Sequence, residues 1–260
     1  MNSATHSTIV SFIWNIADDV LRDVYVRGKY RDVILPMTVL RRLDSLLEPT
    51  KDKVLETYGF LELKQIEHQM EALKSASGLA FYNTSRFTLR RLLDEPAQIR
   101  ANFETYLDGF SENVKLILDK FAMPAQIKKL DENDRLYPLI QKFVAREINL
   151  SPEPVTARDG TVIQPGLSNR DMGYVFEELI RRFNEENNEE AGEHFTPRDI
   201  IQLMVNLIFE PIKDQVESTT YLVYDDACGS GGMLTEAEGS YGVSRRLMGK
   251  DLSSSCLGRR

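Results

Sequence analysis

From Ile9 the apolar residues Ile9, Phe12, Ile13, Ile16, Val20, Leu21 and Val24 recur at spacings of three and four, the stripe of an amphipathic helix, with Trp14 off it. A second helix is expected from Asp32. Pro36 falls in its first turn, Met37, Leu40, Leu43 and Leu47 form one face, and Arg41 and Arg42 lie on the other side. The same periodicity predicts helices over 51–75, 86–94, 96–121 and 134–147, with Ile99, Phe103, Tyr106, Phe110, Ile117 and Phe121 marking the inner face of 96–121. GLAFYNTSRF (78–87) breaks the period with Gly78 and Asn83, so it reads as an ordered connection whose aromatics dock on the bundle. Residues 1–148 are therefore expected to form a helical domain.

The pattern changes in NLSPEPVTARDGTVIQPGLS (149–168), where three prolines and two glycines without helical period predict a linker over 149–167. Ser168 with Asp171 then has the spacing of a capping box, opening a helix whose face is Met172, Val175, Phe176, Leu179, Ile180 and Phe183. The acidic run NEENNEEAGE (184–193) ends it as a solvated loop. At TPRD (196–199) Thr196 is expected to cap a further helix, with Pro197 at the first helical position and Asp199 closing the box. Ile200, Ile201, Met204, Val205 and Ile208 are expected to bury that helix. YLVYD (221–225) is the one clear strand signal, and it runs directly into DACGSGGML (226–234). An extended run, then glycines, then helix formers is how an α/β domain opens a cleft at a strand end. Residues 168–238 are thus expected to begin such a domain, with 239–260 an atypical tail.

Composition narrows the classes. A 260-residue chain with 42% hydrophobic and 28% charged residues is that of a soluble globular protein of one or two domains. The net charge of −8 supplies no global basic field. Arg27, Lys29, Arg31, Arg41, Arg42, Arg86, Arg90 and Arg91 fit either a local DNA-facing surface or a solvated helix face. The two cysteines, without C-x-x-C spacing or a nearby His pair, support neither a disulfide framework nor a zinc site; a reducing, cytoplasmic setting is expected, with Cys228 a small packed side chain. No basic leader and no run of about 20 apolar residues is present, so neither a signal peptide nor a membrane span is expected.

Glycines at 229, 231 and 232 allow close backbone approach and offer N–H donors at a helix start, which suits a nucleotide-like or carboxylate-bearing ligand. The dinucleotide fingerprint is excluded because the sixth position from Gly229 is Leu234, and no G-x-x-x-x-G-K loop occurs. GEHFTPRD (192–199) stands one helix before YDDACGSGGML (224–234), and in that order the pair resembles the cofactor site of N6-adenine DNA methyltransferases. Specifically, it resembles the modification subunit, HsdM, of type I restriction-modification systems. YRDVILPMTVLRRLD (30–44) and AFYNTSRFTL (80–89) look like segments of that family's helical N-terminal domain, so the resemblance covers roughly residues 8–238.

The resemblance implies an α-helical N-terminal domain followed by the start of an α/β, Rossmann-like, S-adenosylmethionine-dependent methyltransferase domain. It makes Glu193, His194, Phe195, Thr196, Pro197 and Arg198 one wall of an S-adenosylmethionine pocket and Ser230, Gly231 and Gly232 the loop beneath its methionine part. Asp225 would stand near the ligand's amino group, and Asp251 is a weaker candidate for the ribose. The implied partners are DNA, a specificity subunit, a restriction subunit and a second modification subunit, and no metal is needed. Two departures stand out. Asp226 replaces the family's proline, and the catalytic Asn-Pro-Pro-Phe/Tyr segment is absent from the 260 residues, so no catalytic residue is assigned. The competing reading is a non-catalytic module that binds cofactor, DNA or a subunit.

Overall fold

A computed structural model describes residues 3–187, 196–216, 223–226, 228 and 231–241. The chain divides into two compact units, the first ending at Leu167 and the second beginning at Ser168.

The first unit is built on α1 (Ser3–Leu21), α2 (Arg31–Leu47), α3 (Lys51–Leu63), α4 (Met70–Ser77), α5 (Ile99–Asp108), α6 (Glu112–Lys120), α7 (Met123–Glu132) and α8 (Leu136–Phe143). Of the predicted stripe, Ile9, Ile13, Ile16, Val20 and Leu21 are buried, Phe12 is half-buried and Val24 lies beyond the end of α1, which packs on α2 and α8. The α2 helix departs from expectation in two ways. It begins at Arg31, so Pro36 lies in its second turn, where the missing N–H removes the bond to the Asp32 carbonyl. Arg41 and Arg42 are buried rather than solvated, because Arg41 pairs with Asp44 at 3.6 Å and Arg42 Nη1 donates to the Leu150 carbonyl at 2.6 Å. A long cationic side chain can be buried when it is paired in this way, although Arg41 Nε is buried without a hydrogen-bond partner among the described residues.

The segment expected as one helix over 51–75 is two, α3 and α4, separated by a turn in which Gln65 takes a left-handed conformation, and the pair closes on Val54, Leu61, Leu73 and Ala76. The 96–121 segment is likewise divided, into α5 and α6. The cause is the connection 78–87, which lies against the break: Thr84 N donates to the Gly109 carbonyl at 2.8 Å and Ser111 N to the Tyr82 carbonyl at 3.0 Å. A Cβ at Gly109 would sit 2.5 Å from Ser85 N, so this approach requires glycine. The split resets the helical register, leaving Ile117 exposed while Val114 and Leu118 face inward. Residues 86–94 contain only a single 3-10 turn at Arg91–Asp94, and α7 occupies a stretch for which no helix was expected.

Asn83 anchors the connection. Its Nδ2 donates to the Tyr106 carbonyl at 2.9 Å, and its Oδ1 accepts from Ser85 N at 2.9 Å and from the buried Lys51 ammonium at 3.0 Å. Nearby, Asp44 Oδ1 accepts from the Tyr106 hydroxyl at 3.0 Å and from Leu89 N at 3.3 Å.

Residues 149–167, expected as a linker, belong to the first unit. They form an antiparallel hairpin of β1 (Val155–Thr156) and β2 (Val162–Gln164) between fully buried Leu150 and Leu167. Asn149 Nδ2 reaches the carbonyls of Glu153 and Pro165, which supplies the pairing that the prolines withhold from a longer sheet.

The second unit contains α9 (Asn169–Glu186), α10 (Arg198–Phe209), the single turn α11 (Lys213–Val216) and α12 (Gly232–Tyr241). Ser168 and Asp171 form the expected capping box. Ile201, Val205 and Phe209 of α10 close on Ala237 of α12, with Val223, Met233 and Tyr241 packed around them. The opposite side of α10 is also apolar but exposed. Ile200, Met204 and Ile208, expected to be buried, are 47%, 43% and 53% accessible, because a helix apolar all round can bury only the side that meets a neighbour. Of the strand expected over 221–225, residues 221–222 lie outside the described set and 223–225 show no strand pairing, so the β1–β2 hairpin is the only sheet among the described residues. No described helix is long and apolar enough to cross a membrane.

Candidate functional site

The two motifs singled out in the sequence open α10 and α12, and those helices pack together. The α10 helix begins one residue later than expected. Pro197 is its cap residue, with extended backbone, and no side chain caps it, so Thr196 and Asp199 do not form a box there. Thr196 and Pro197 are exposed, and Arg198, the first helical residue, is buried.

Arg198 is the hub of the arrangement. Its Nε donates to Glu177 Oε2 at 2.9 Å and its Nη2 lies 2.9 Å from Glu177 Oε1, a two-pronged pairing with α9. The guanidinium also stands over the Tyr174 ring at 5.3 Å. A Cβ on Gly173 would meet Nη2 at 2.4 Å, so the α9 surface is open where the fork lies. Burial raises the Glu177 carboxyl above its ordinary range, and the Arg198 hydrogen bonds and charge act in the opposite direction.

The remaining prong, Nη1, donates to Thr235 Oγ1 at 3.3 Å, and Thr235 Oγ1 lies 3.1 Å from the Gly231 carbonyl and 3.0 Å from that of Gly232. One buried arginine therefore links α9, the start of α10 and the first turn of α12. Arg170 adds a second tie between α9 and α12, with Nη2 2.6 Å from Glu236 Oε1.

The two described glycines of the loop do different things. Gly231 has φ of +79°, which favours glycine, and a Cβ there would meet nothing within 4 Å. Gly232 permits close packing instead, since its Cβ would lie 2.5 Å from Ile201 Cδ1 on α10. The free N–H groups at the start of α12 suit an anionic or lone-pair-bearing ligand group. Asp225 is partly accessible, two residues beyond Val223, which packs on the α10–α12 core.

Of the residues expected in the cofactor pocket, the structure links Arg198 to Gly231 and Gly232 through Thr235, with Thr196 and Pro197 exposed immediately before Arg198. Glu193, His194, Phe195, Ser230 and Asp251 lie outside the described residues. Cys228, expected as a packed side chain, is half-buried. No cluster of His, Cys, Asp or Glu among the described residues is arranged to hold a metal ion. The basic residues considered for a DNA face are largely engaged within the chain: Lys29 pairs with Asp32, Arg86 with Glu95, and Arg90 and Arg91 donate to the carbonyls of Val144 and Arg86.

The family model of the HsdM N-terminal domain matches residues 9–143, more than half of the chain. The chain belongs to the HsdM family. A second model, N-6 DNA Methylase, matches residues 167–247, so the two matches follow one another in chain order and the second begins one residue before the second unit. The methylase subunit of the type I restriction enzyme HindI from Haemophilus influenzae is 34% identical over 67 residues. That match covers 26% of this chain and 13% of the relative's own length. No solved structure matches. Within this HsdM chain, Gly173, Glu177 and Thr235 went unnoticed in the sequence. The available signal was a carboxylate between Val175 and Leu179 on the buried side of α9.

Proposed function

We propose that this HsdM chain binds S-adenosylmethionine beside the starts of α10 and α12, and that the modification subunit to which it corresponds transfers the methyl group to adenine N6 in DNA. The observation that carries the reading is the Arg198–Thr235 link. It places the Thr-Pro-Arg segment against a glycine turn whose Gly231 has a left-handed backbone and open space at its missing side chain. The residues present fit such a ligand. The α12 N-terminus offers backbone donors to its carboxylate, and Asp225 offers an acceptor to its ammonium group. Glu193, His194, Phe195, Thr196, Pro197 and Ser230 complete the pocket in this reading, and the second unit is the start of a Rossmann-like methyltransferase domain.

The bound cofactor supplies an electrophilic methyl group on a sulfonium. The target adenine must leave the base stack for its amino group to reach that methyl. DNA sequence choice belongs to a separate specificity subunit, with a restriction subunit and a second modification subunit as further partners, and the setting is the cytoplasm. No metal is required.

A second reading, a binding module without turnover, is favoured by one fact: none of the 260 residues forms an Asn-Pro-Pro-Phe/Tyr segment to hold the adenine amino group. Transfer of labelled methyl groups from S-adenosylmethionine to duplex DNA tests both readings. The expected result is transfer by a full-length modification subunit assembled with its specificity subunit, and none by this chain in the same assembly. Transfer by the chain would place a substitute catalytic group within it, and no transfer by either would refute the enzymatic reading.

A further inference from the structure

Arg198 would be read from its motif as a ligand contact, yet three of its donor nitrogens are directed at protein acceptors: Nε and Nη2 at Glu177, and Nη1 at Thr235. We propose that Arg198 is a positioning residue: anchored by Glu177 on α9, it acts through the Thr235 hydroxyl to fix the peptide between Gly231 and Gly232 at the cofactor loop. The inference rests on the function proposed above and assigns a role within that site.

The route follows from hydrogen-bond direction. A threonine hydroxyl has one proton. Accepting from Arg198 Nη1 at 3.3 Å, Thr235 donates its own proton to the carbonyls of the first turn, 3.1 Å away at Gly231 and 3.0 Å at Gly232. The Thr235 amide donates to the same Gly231 carbonyl at 3.0 Å. A trans peptide is planar, so its carbonyl and N–H point in opposite directions. Holding the Gly231 carbonyl toward Thr235 therefore aims the Gly232 N–H away from the helix body, at the helix N-terminus where the ligand is proposed to sit.

Gly231 is the residue that most needs such a restraint. Its φ of +79° is one of several conformations open to glycine, and no side chain of its own selects it. Glu177 and Gly173 provide the other end. The carboxylate fixes the plane of the guanidinium, and the missing Cβ at position 173 leaves room for Nη2. A lysine at 198 would keep the charge but could not reproduce the fork.

The test uses the 260-residue chain and two readouts: amide hydrogen exchange at Thr235 without ligand, and calorimetric titration with S-adenosylmethionine. Thr235→Val removes only the hydroxyl, and Thr235→Ser restores it. The proposal expects Thr235→Val and Arg198→Lys each to speed exchange at Thr235 and to weaken cofactor binding, roughly tenfold for the loss of one charge-assisted hydrogen bond. Thr235→Ser should match the wild type in both. Glu177→Gln, which leaves Arg198 in place, should weaken binding in the same way, and combining it with Arg198→Lys should add little.

A direct ligand contact predicts a different outcome: Arg198→Lys alone weakens binding, Glu177→Gln and Thr235→Val do not, and exchange is unchanged. That result overturns the proposal. If the wild type binds no cofactor, the function proposed above fails, and exchange decides the role of Arg198 separately. Unchanged exchange in Thr235→Val and Arg198→Lys then overturns the positioning role, and faster exchange upholds it.

Discussion

Lys51→Met provides a quantitative test of the first unit, because the Lys51 ammonium is buried at the junction between α3 and the 78–87 connection. Its Nζ donates to the Asn83 carbonyl at 3.2 Å and to Asn83 Oδ1 at 3.0 Å. Its pKa is held down from 10.5 to about 8, first by burial, with the Asp44 carboxylate opposing and the Arg91 guanidinium adding to the depression. Between these two values the unfolded chain keeps a proton that the folded chain has released, so stability rises with pH. The contribution is absent below the folded value and complete above the unfolded one. Integrated from pH 7 to 9.5, it amounts to about 2 kcal/mol. Lys51→Met cannot titrate, so the stability difference between wild type and variant should shift by about 2 kcal/mol in favour of the wild type over that range. Urea unfolding followed by fluorescence reads this directly, since Trp14 is the only tryptophan and lies in α1 of the same unit. Parallel pH profiles for the two proteins, or a shift of opposite sign, would refute the reasoning.

Asn83→Leu should destabilise the first unit by about 4 kcal/mol, because it leaves Ser85 N and the Tyr106 carbonyl unpaired and takes one acceptor from Lys51. The same unfolding measurement would detect it, and a loss below about 1 kcal/mol would show that the connection is held by its aromatics alone. In the second unit, Ile201→Ala should cost about 2–5 kcal/mol, whereas Leu203→Ala on the exposed side of α10 should stay within about 0.5 kcal/mol. Equal losses, measured by thermal unfolding, would mean that both sides of α10 are packed.

The helical half was legible wherever one helix lies against one neighbour. The α1 stripe and the Ser168–Asp171 capping box are local patterns; the box appears as read, and the stripe does so except at Phe12 and Val24. The readings failed where a distant segment decided the outcome. Nothing within 96–121 announces that 78–87 will pair against Gly109 and Ser111 and divide the helix, and nothing near Arg42 announces that the Leu150 carbonyl will receive it. Proline and glycine content made 149–167 look like a linker, but the buried Leu150 and Leu167 and the side chain of Asn149 hold it in place. At the candidate site, motif spacing pointed to Pro197, Arg198, Gly231 and Gly232. It could not separate a ligand contact from a support, because Glu177 and Thr235 reach Arg198 across sequence gaps of 21 and 37 residues.

Calorimetric titration of S-adenosylmethionine into the chain and its Gly231→Val variant tests the proposed site most directly. A branched side chain at a φ of +79° is strained, and its Cβ would project into the open space assigned to the ligand. The account predicts saturable binding to the wild type and at least roughly tenfold weaker binding to a variant whose circular dichroism is unchanged, equivalent to a strain of about 1.4 kcal/mol or more. No binding to the wild type, or equal affinity in the two proteins, would contradict it.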